Sequence, residues 1–232
     1  VLCANSMCRN FNFCWWICLW QSTLAISKLT SAAKDKPVRS TNNYLNPEDF
    51  ERVIETIPRL GIRKWDDDDI EMLFRMLYWC ALRPNEGIRL SKEDFDLESR
   101  KIYLGKTKTN VNDVAPIPTL FIPELTTYLY TKEPGRLFSG LSYNTFYPWL
   151  KKLGRILDIP SWVTLQAETG EKTVGHIFRK SIGKDMLTGV HRTKDGKKFD
   201  IPIISKQLRH SKPSITVDSY LKSTIEAVLD QW

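Results

Sequence analysis

Four groups of residues in this chain have types and spacings that could do chemistry on an anionic centre. His176 and Arg179, in HIFR, lie three apart in a segment with helical patterning, so they share a face and can aim at one anion. Arg83 and Glu86, in ALRPNEGIRL, are also three apart; a guanidinium that grips an oxyanion with two N–H groups needs a partner to fix its fork, and Glu86 is placed to be one. Taken alone, Arg83 equally suits the cation that favours the end of an apolar helix. Lys106 and Lys108, in GKTKTN, sit on a turn, where an ammonium can reach a leaving oxygen or simply be solvated. In LRHSKPSITVDSYLK, His210 stands ten residues before Tyr220. Pro213 belongs in the first turn of a helix, which puts His210 just ahead of it and Tyr220 about two turns inside, roughly 100° from Leu221. Tyr220 is then either a nucleophile at the mouth of a cleft or a core tyrosine with its hydroxyl satisfied.

The charge distribution bears on which anion these residues meet. The net charge is +7, and Glu171 to Lys212 holds eleven Lys/Arg against four Asp/Glu, so this one segment carries the whole excess and all three histidines. A local basic stripe is what a phosphate backbone selects, although Lys194 to Lys198 alone would also serve as a solubilising loop. Four of the five cysteines fall in the first 18 residues, at spacings that match no common zinc arrangement, which points to a reducing interior. FNFCWWICLW is too short for a membrane span and lacks the basic lead and cleavage pattern of a signal peptide. The run Asp66–Asp69 invites a metal reading, but carboxylates at a helix start are stabilised by the exposed N–H groups there.

The elements that must position these residues follow from patterning. Residues 28–45 read as a polar linker after a Cys/Trp-rich appendage, 1–27. Asn46 caps a helix whose first position is Pro47 and whose buried side is Phe50, Val53, Ile54 and Ile57. A second helix starts at the aspartates, buries Ile70, Leu73, Phe74, Leu77 and Cys80, and ends or breaks at Pro84. FDL, KIYLG and VAPIP form a small antiparallel sheet with a tight turn at Glu98–Ser99. Helices are expected at 122–131, 143–157 (capped by Ser142), 173–189, 202–209 and 213–231, with a basic loop at 191–200. The fold class is mainly α with one small antiparallel sheet.

Taken in order, ALRPNEGIRL, FDLESRKIYLGKTKTNVNDVAPIP, HIFRKS and LRHSKPSITVDSYLK resemble the catalytic domain of the tyrosine recombinases, the phage-integrase and Xer-type family, over about residues 44 to 230. YLNPEDFERVIETI looks like the first helix of that domain. The resemblance implies a catalytic domain at 46–232 that breaks and rejoins double-stranded DNA through a 3′-phosphotyrosine, without metal, ATP or other cofactor. It assigns Tyr220 as nucleophile, Arg83 and Arg179 as clamps on the phosphorane-like transition state, and His210 as donor to a non-bridging oxygen. Lys108 becomes the proton donor to the leaving oxygen, with Lys106 its rival, His176 handles the nucleophile's proton, and Glu86 supports. Lys106, Lys180, Arg209 and Lys212 are candidate DNA contacts.

The resemblance further implies a homotetramer on DNA, monomeric or dimeric when free, in the cytoplasm of a prokaryote or encoded by a virus or plasmid, with no membrane partner. Two departures stand out. Relatives carry glycine where this chain has Arg209, which offers a phosphate contact but alters the turn. The family normally carries a core-binding helical domain ahead of the catalytic one, whereas here the first 27 residues resemble nothing in that domain, which suits a C-terminal piece of an integrase split by its own insertion. A type IB topoisomerase-like activity and a non-catalytic DNA-binding remnant are the alternatives these residues also allow.

Overall fold

A computed structural model describes residues 43–62, 64–106, 112–160, 162 and 174–220; for Lys106, Asn112 and residues 218–220 the description is of the backbone alone. These residues fall within one compact unit, Ser40–Trp232. The appendage 1–27 and most of the linker expected from sequence lie outside them. The linker's last residues pack as part of the domain: Leu45 is fully buried and its N–H donates to Ser181 Oγ at 2.8 Å.

The first helix, α1 (Pro47–Thr56), starts where its cap dictates, with Asn46 Oδ1 accepting from Asp49 N at 2.6 Å. Helix α2 (Asp67–Trp79) begins with three aspartates in its first turn. Asp69 accepts the Tyr128 hydroxyl at 2.8 Å and pairs with Lys132, so its carboxylate is committed to holding that later segment against the start of α2. Ile70, Leu73, Phe74, Met76 and Leu77 are fully buried, and each such side chain contributes about 1.5–3 kcal/mol. A short helix, α3 (Pro84–Ile88), follows.

Strands β1 (Phe95–Asp96), β2 (Lys101–Lys106) and β3 (Asn112–Pro116) form an antiparallel sheet in chain order. The β1–β2 connection is wider than the expected two-residue turn: Asp96 pairs with Lys101, Asp96 Oδ1 accepts from Ser99 N, and Arg100 takes φ 55. The β2–β3 register slips between Tyr103 and Lys106, where Gly105 at φ 64 supplies the left-handed residue of a bulge. Ile102 and Ala115, opposite each other, turn the sheet's buried face to the core.

Helices α4 (Ile122–Tyr130) and α5 (Tyr143–Leu157, capped by Ser142) match their expected ranges closely. Helix α6 (His176–Thr188) packs on α2, with Phe74 and Phe178 at 5.1 Å between ring centres and Trp162 edge-on to Phe178 at 5.8 Å. Further along the same seam the Tyr78 hydroxyl donates to Asp185 and accepts from His191 Nε2 at 2.9 Å, a buried polar link between the two helices. Helix α7 (Ile201–Gln207) and α8 (Pro213–Tyr220) complete the described chain. The sequence places the end of α7 two residues later. It stops because Arg209 adopts φ 47, and His210 N and Arg209 N return to the carbonyls of Ser205 and Lys206, closing a Schellman turn.

Candidate active site

The site begins with a backbone reversal. Cys80 caps α2 and Ala81 enters the left-handed region at φ 50, a conformation that costs a non-glycine residue about 1–2 kcal/mol. Pro84 then holds Arg83 extended, at φ −76 and ψ 148. Arg83 is therefore the N-cap of α3 and not a cation at the end of α2, which settles its local role differently from the dipole reading. Glu86, one turn on, accepts from Arg83 N at 2.7 Å through one oxygen and from Arg83 Nη1 at 2.7 Å through the other. The fork is fixed from its own helix, and Arg83 remains 43% exposed, presented to solvent.

Arg179 comes in from α6. Its side chain is only 5% exposed, and Nη1 donates to the Ala81 carbonyl at 2.9 Å. Gly175, just before α6, permits this approach: a Cβ there would lie 2.3 Å from Pro84 Cγ, so the start of α6 rests directly on the start of α3.

His176 and His210 close the group. Burial lowers the His176 imidazole to about 4, and the Arg179 and Arg83 guanidiniums push it the same way. Burial, Arg179 and Arg83 likewise take His210 to about 4. Geometry ties these segments together: Arg179 and Arg209, the residue before His210, both donate to the Ala81 carbonyl, Arg209 also holds the Glu86 carboxylate that fixes Arg83, and Gly175, beside His176, rests on Pro84. Both imidazoles are neutral at neutral pH. His210 Nδ1 lies 2.8 Å from Thr216 Oγ1, and Thr216 is almost fully buried in α8, one turn before Tyr220. Thr216 and Asp113 were not candidates from sequence. For Thr216 the signal was present, since it shares a helix face with Tyr220 at a spacing of four.

The structure treats the remaining candidates unequally. Arg209 is turned inward and does not fit the expected phosphate contact: it is 6% exposed, with Nη2 on Glu86 Oε2 at 2.6 Å and on the Ala81 carbonyl at 3.2 Å, and Nη1 on Asp113 Oδ2 at 3.4 Å. Lys180 donates to Asn43 Oδ1 at 2.7 Å, and Lys212 is exposed ahead of α8. Lys108 lies outside the described residues, as do the side chains of Lys106 and Tyr220; Tyr220 is seen as the last residue of α8.

A helical core with a small three-stranded antiparallel sheet matches the architecture of a tyrosine recombinase catalytic domain. The chain belongs to the phage integrase family, which it matches over residues 43–226. It is 27% identical over 202 residues to the tyrosine recombinase XerA of Thermococcus onnurineus (strain NA1), covering 82% of this chain and 62% of that protein. The chain thus spans about three fifths of that curated relative's length. The fold is similar to the catalytic domain of bacteriophage HP1 integrase, with a TM-score of 0.51 at 19% identity over 79% of this chain and 93% of that one. It is also similar to the XerH site-specific recombinase bound to its difH substrate in a pre-cleavage complex, with a TM-score of 0.54 at 18% identity over 76% and 50% of the respective chains. Among the described residues no helix is long and apolar enough to cross a membrane.

Proposed function

We propose that this protein cleaves and rejoins double-stranded DNA site-specifically, with Tyr220 as the nucleophile. Tyr220 Oη bonds the scissile phosphorus as the bond to the 5′ oxygen breaks, giving a 3′-phosphotyrosine and a free 5′ hydroxyl. The phenolic proton passes to His176, whose basicity burial and the two arginines hold low and the negative charge of a bound phosphate would restore. The departing oxygen takes its proton from a lysine on the β2–β3 turn, Lys108 or Lys106. Arg83 and Arg179 hold the charge that builds on the non-bridging oxygens, which needs fixed donors since it is greatest in the transition state. His210 Nδ1 lies 2.8 Å from the Thr216 hydroxyl, and we assign that hydroxyl as the donor, so that the neutral ring carries its proton on Nε2 and gives it as a hydrogen bond to the same phosphate. A second 5′ hydroxyl reverses the step on a partner strand, and the phosphodiester energy is conserved in the protein–DNA bond. Strand exchange by this route calls for an assembly of four protomers on two DNA sites.

The observation that supports the reading is the convergence on the Ala81 carbonyl: Arg179 and Arg209 both donate to it, Arg209 holds the Glu86 that fixes Arg83, and the start of the His176 helix rests on Pro84, although these residues come from positions 81 to 209 of the chain. The test is Tyr220→Phe against wild type on a labelled, nicked half-site. Wild type is expected to give a slow-migrating covalent adduct in a denaturing gel and the variant none, while both bind DNA with affinity that falls as salt rises. An adduct that survives the Phe substitution sinks the assignment.

A further inference from the structure

Arg209 stands where the chain makes a left-handed turn that glycine would adopt without strain, at φ 47. A long charged side chain is an expensive choice there, and it is also buried, with Nε lacking a hydrogen-bond partner among the described residues. An observed departure of this kind calls for a function. Its contacts supply one. The guanidinium meets three groups from three segments: the Glu86 carboxylate that fixes Arg83, the Ala81 carbonyl that also receives Arg179, and Asp113 at the start of β3. Asp113 stands three residues beyond the GKTKTN segment that bears the candidate lysines and is the second residue of β3, just before Val114, which pairs with Tyr103.

We propose that Arg209 is a positioning residue that locks the Arg83–Glu86 pair to strand β3, so that the phosphate clamp and this strand move as one body. Glu86 is then shared between two guanidiniums, Oε1 accepting from Arg83 Nη1 and Oε2 from Arg209 Nη2, while the Arg83 side chain stays 43% exposed. Asp113 is the weaker tie, at 3.4 Å and partly exposed. Its own backbone neighbour also uses it, with Val114 N donating to Oδ1 at 3.0 Å.

The functional half of this inference rests on the Tyr220 reading, and the mechanical half does not, so the experiment has one arm for each. Arg209→Gly keeps the turn, since glycine accepts its backbone, and removes the clamp; Arg209→Lys keeps a charge but loses the fork. In hydrogen exchange on the DNA-free protein, Arg209→Gly should speed exchange of the β3 amides about tenfold or more while α1 and α5 exchange as in wild type. In single-turnover cleavage of a nicked half-site, Arg209→Gly should slow adduct formation about a hundredfold with DNA affinity little changed, since the clamp places groups and does not bind the backbone itself. Arg209→Lys and Asp113→Asn should fall between it and wild type. The pH profile adds a signature that loss of packing alone would not give. Burial works to raise the Glu86 carboxyl, and Arg209 is foremost among the groups that hold it low, ahead of Arg83. The charged and titratable groups facing Glu86 are Arg83, Arg209 and His176. Without Arg209 the acid limb of the cleavage rate moves to higher pH. Unchanged β3 exchange in Arg209→Gly overturns the clamp. Faster β3 exchange with no loss of cleavage rate overturns the positioning role. If wild type itself forms no adduct but β3 loosens in the variant, the clamp stands and the Tyr220 reading is what fails.

Discussion

Asp185→Asn should make this protein more stable, and by an amount that depends on pH. Asp185 sits on α6 with 2% of its surface exposed, and the partner the structure gives it is the Tyr78 hydroxyl of α2. Burial raises its carboxyl from the ordinary 3.8 to about 6; the Tyr78 hydrogen bond works against the rise and the charge of Glu48 adds to it. The folded protein therefore holds a proton on Asp185 that the unfolded chain has already released, and the ionised carboxylate weakens the fold as pH climbs through about 6. The gap between the two values corresponds to roughly 3 kcal/mol once both forms are ionised. Asparagine keeps an oxygen for Tyr78 and never ionises. The variant should match wild type below about pH 4, gain between there and pH 6, and hold a plateau above, worth about 6–10 °C in melting temperature at pH 8. Thermal unfolding at pH 4, 6 and 8 reads this directly. A variant no more stable than wild type at pH 8 would mean that the Tyr78 hydrogen bond fully offsets the burial of the carboxylate, and the burial argument would be wrong.

Three further outcomes follow from the site. Gly175→Ala forces a methyl against the Pro84 ring; it should cost about 1–3 kcal/mol in urea unfolding but slow adduct formation about a hundredfold, because it parts His176 from Arg83. Thr216→Val removes the hydroxyl hydrogen-bonded to His210 Nδ1, and single-turnover cleavage should fall roughly fivefold to tenfold, with Thr216→Ser restoring it. The Tyr220→Phe comparison should abolish the adduct and leave salt-sensitive DNA binding intact, as measured by gel shift at two ionic strengths.

Much of the frame was legible because it is local. Asn46 and Ser142 cap the helices they announce, and the fixed spacing of Arg83 and Glu86 gives a real pair. What the sequence hid is held by contacts that span more than a hundred positions, or by backbone states that the residue type does not signal. Nothing in Cys80–Ala81–Leu82 advertises a left-handed alanine, so Arg83 reads as the tail of α2 when it is the head of α3. Arg209, in a basic stripe, reads as a surface cation, yet two carboxylates and a carbonyl draw it inside. The Tyr78–Asp185–His191 link joins residues whose types are unremarkable one at a time and which meet only when α2 and α6 pack.

The Ala81 carbonyl has a consequence for how this protein can vary. It is the common anchor of Arg179 and Arg209, yet it belongs to the main chain and no side-chain exchange deletes it. What evolution can change is the ease with which position 81 bends backward: glycine or asparagine would keep the anchor, whereas a β-branched residue would swing it away and disarm both arginines while leaving every one of their codons intact.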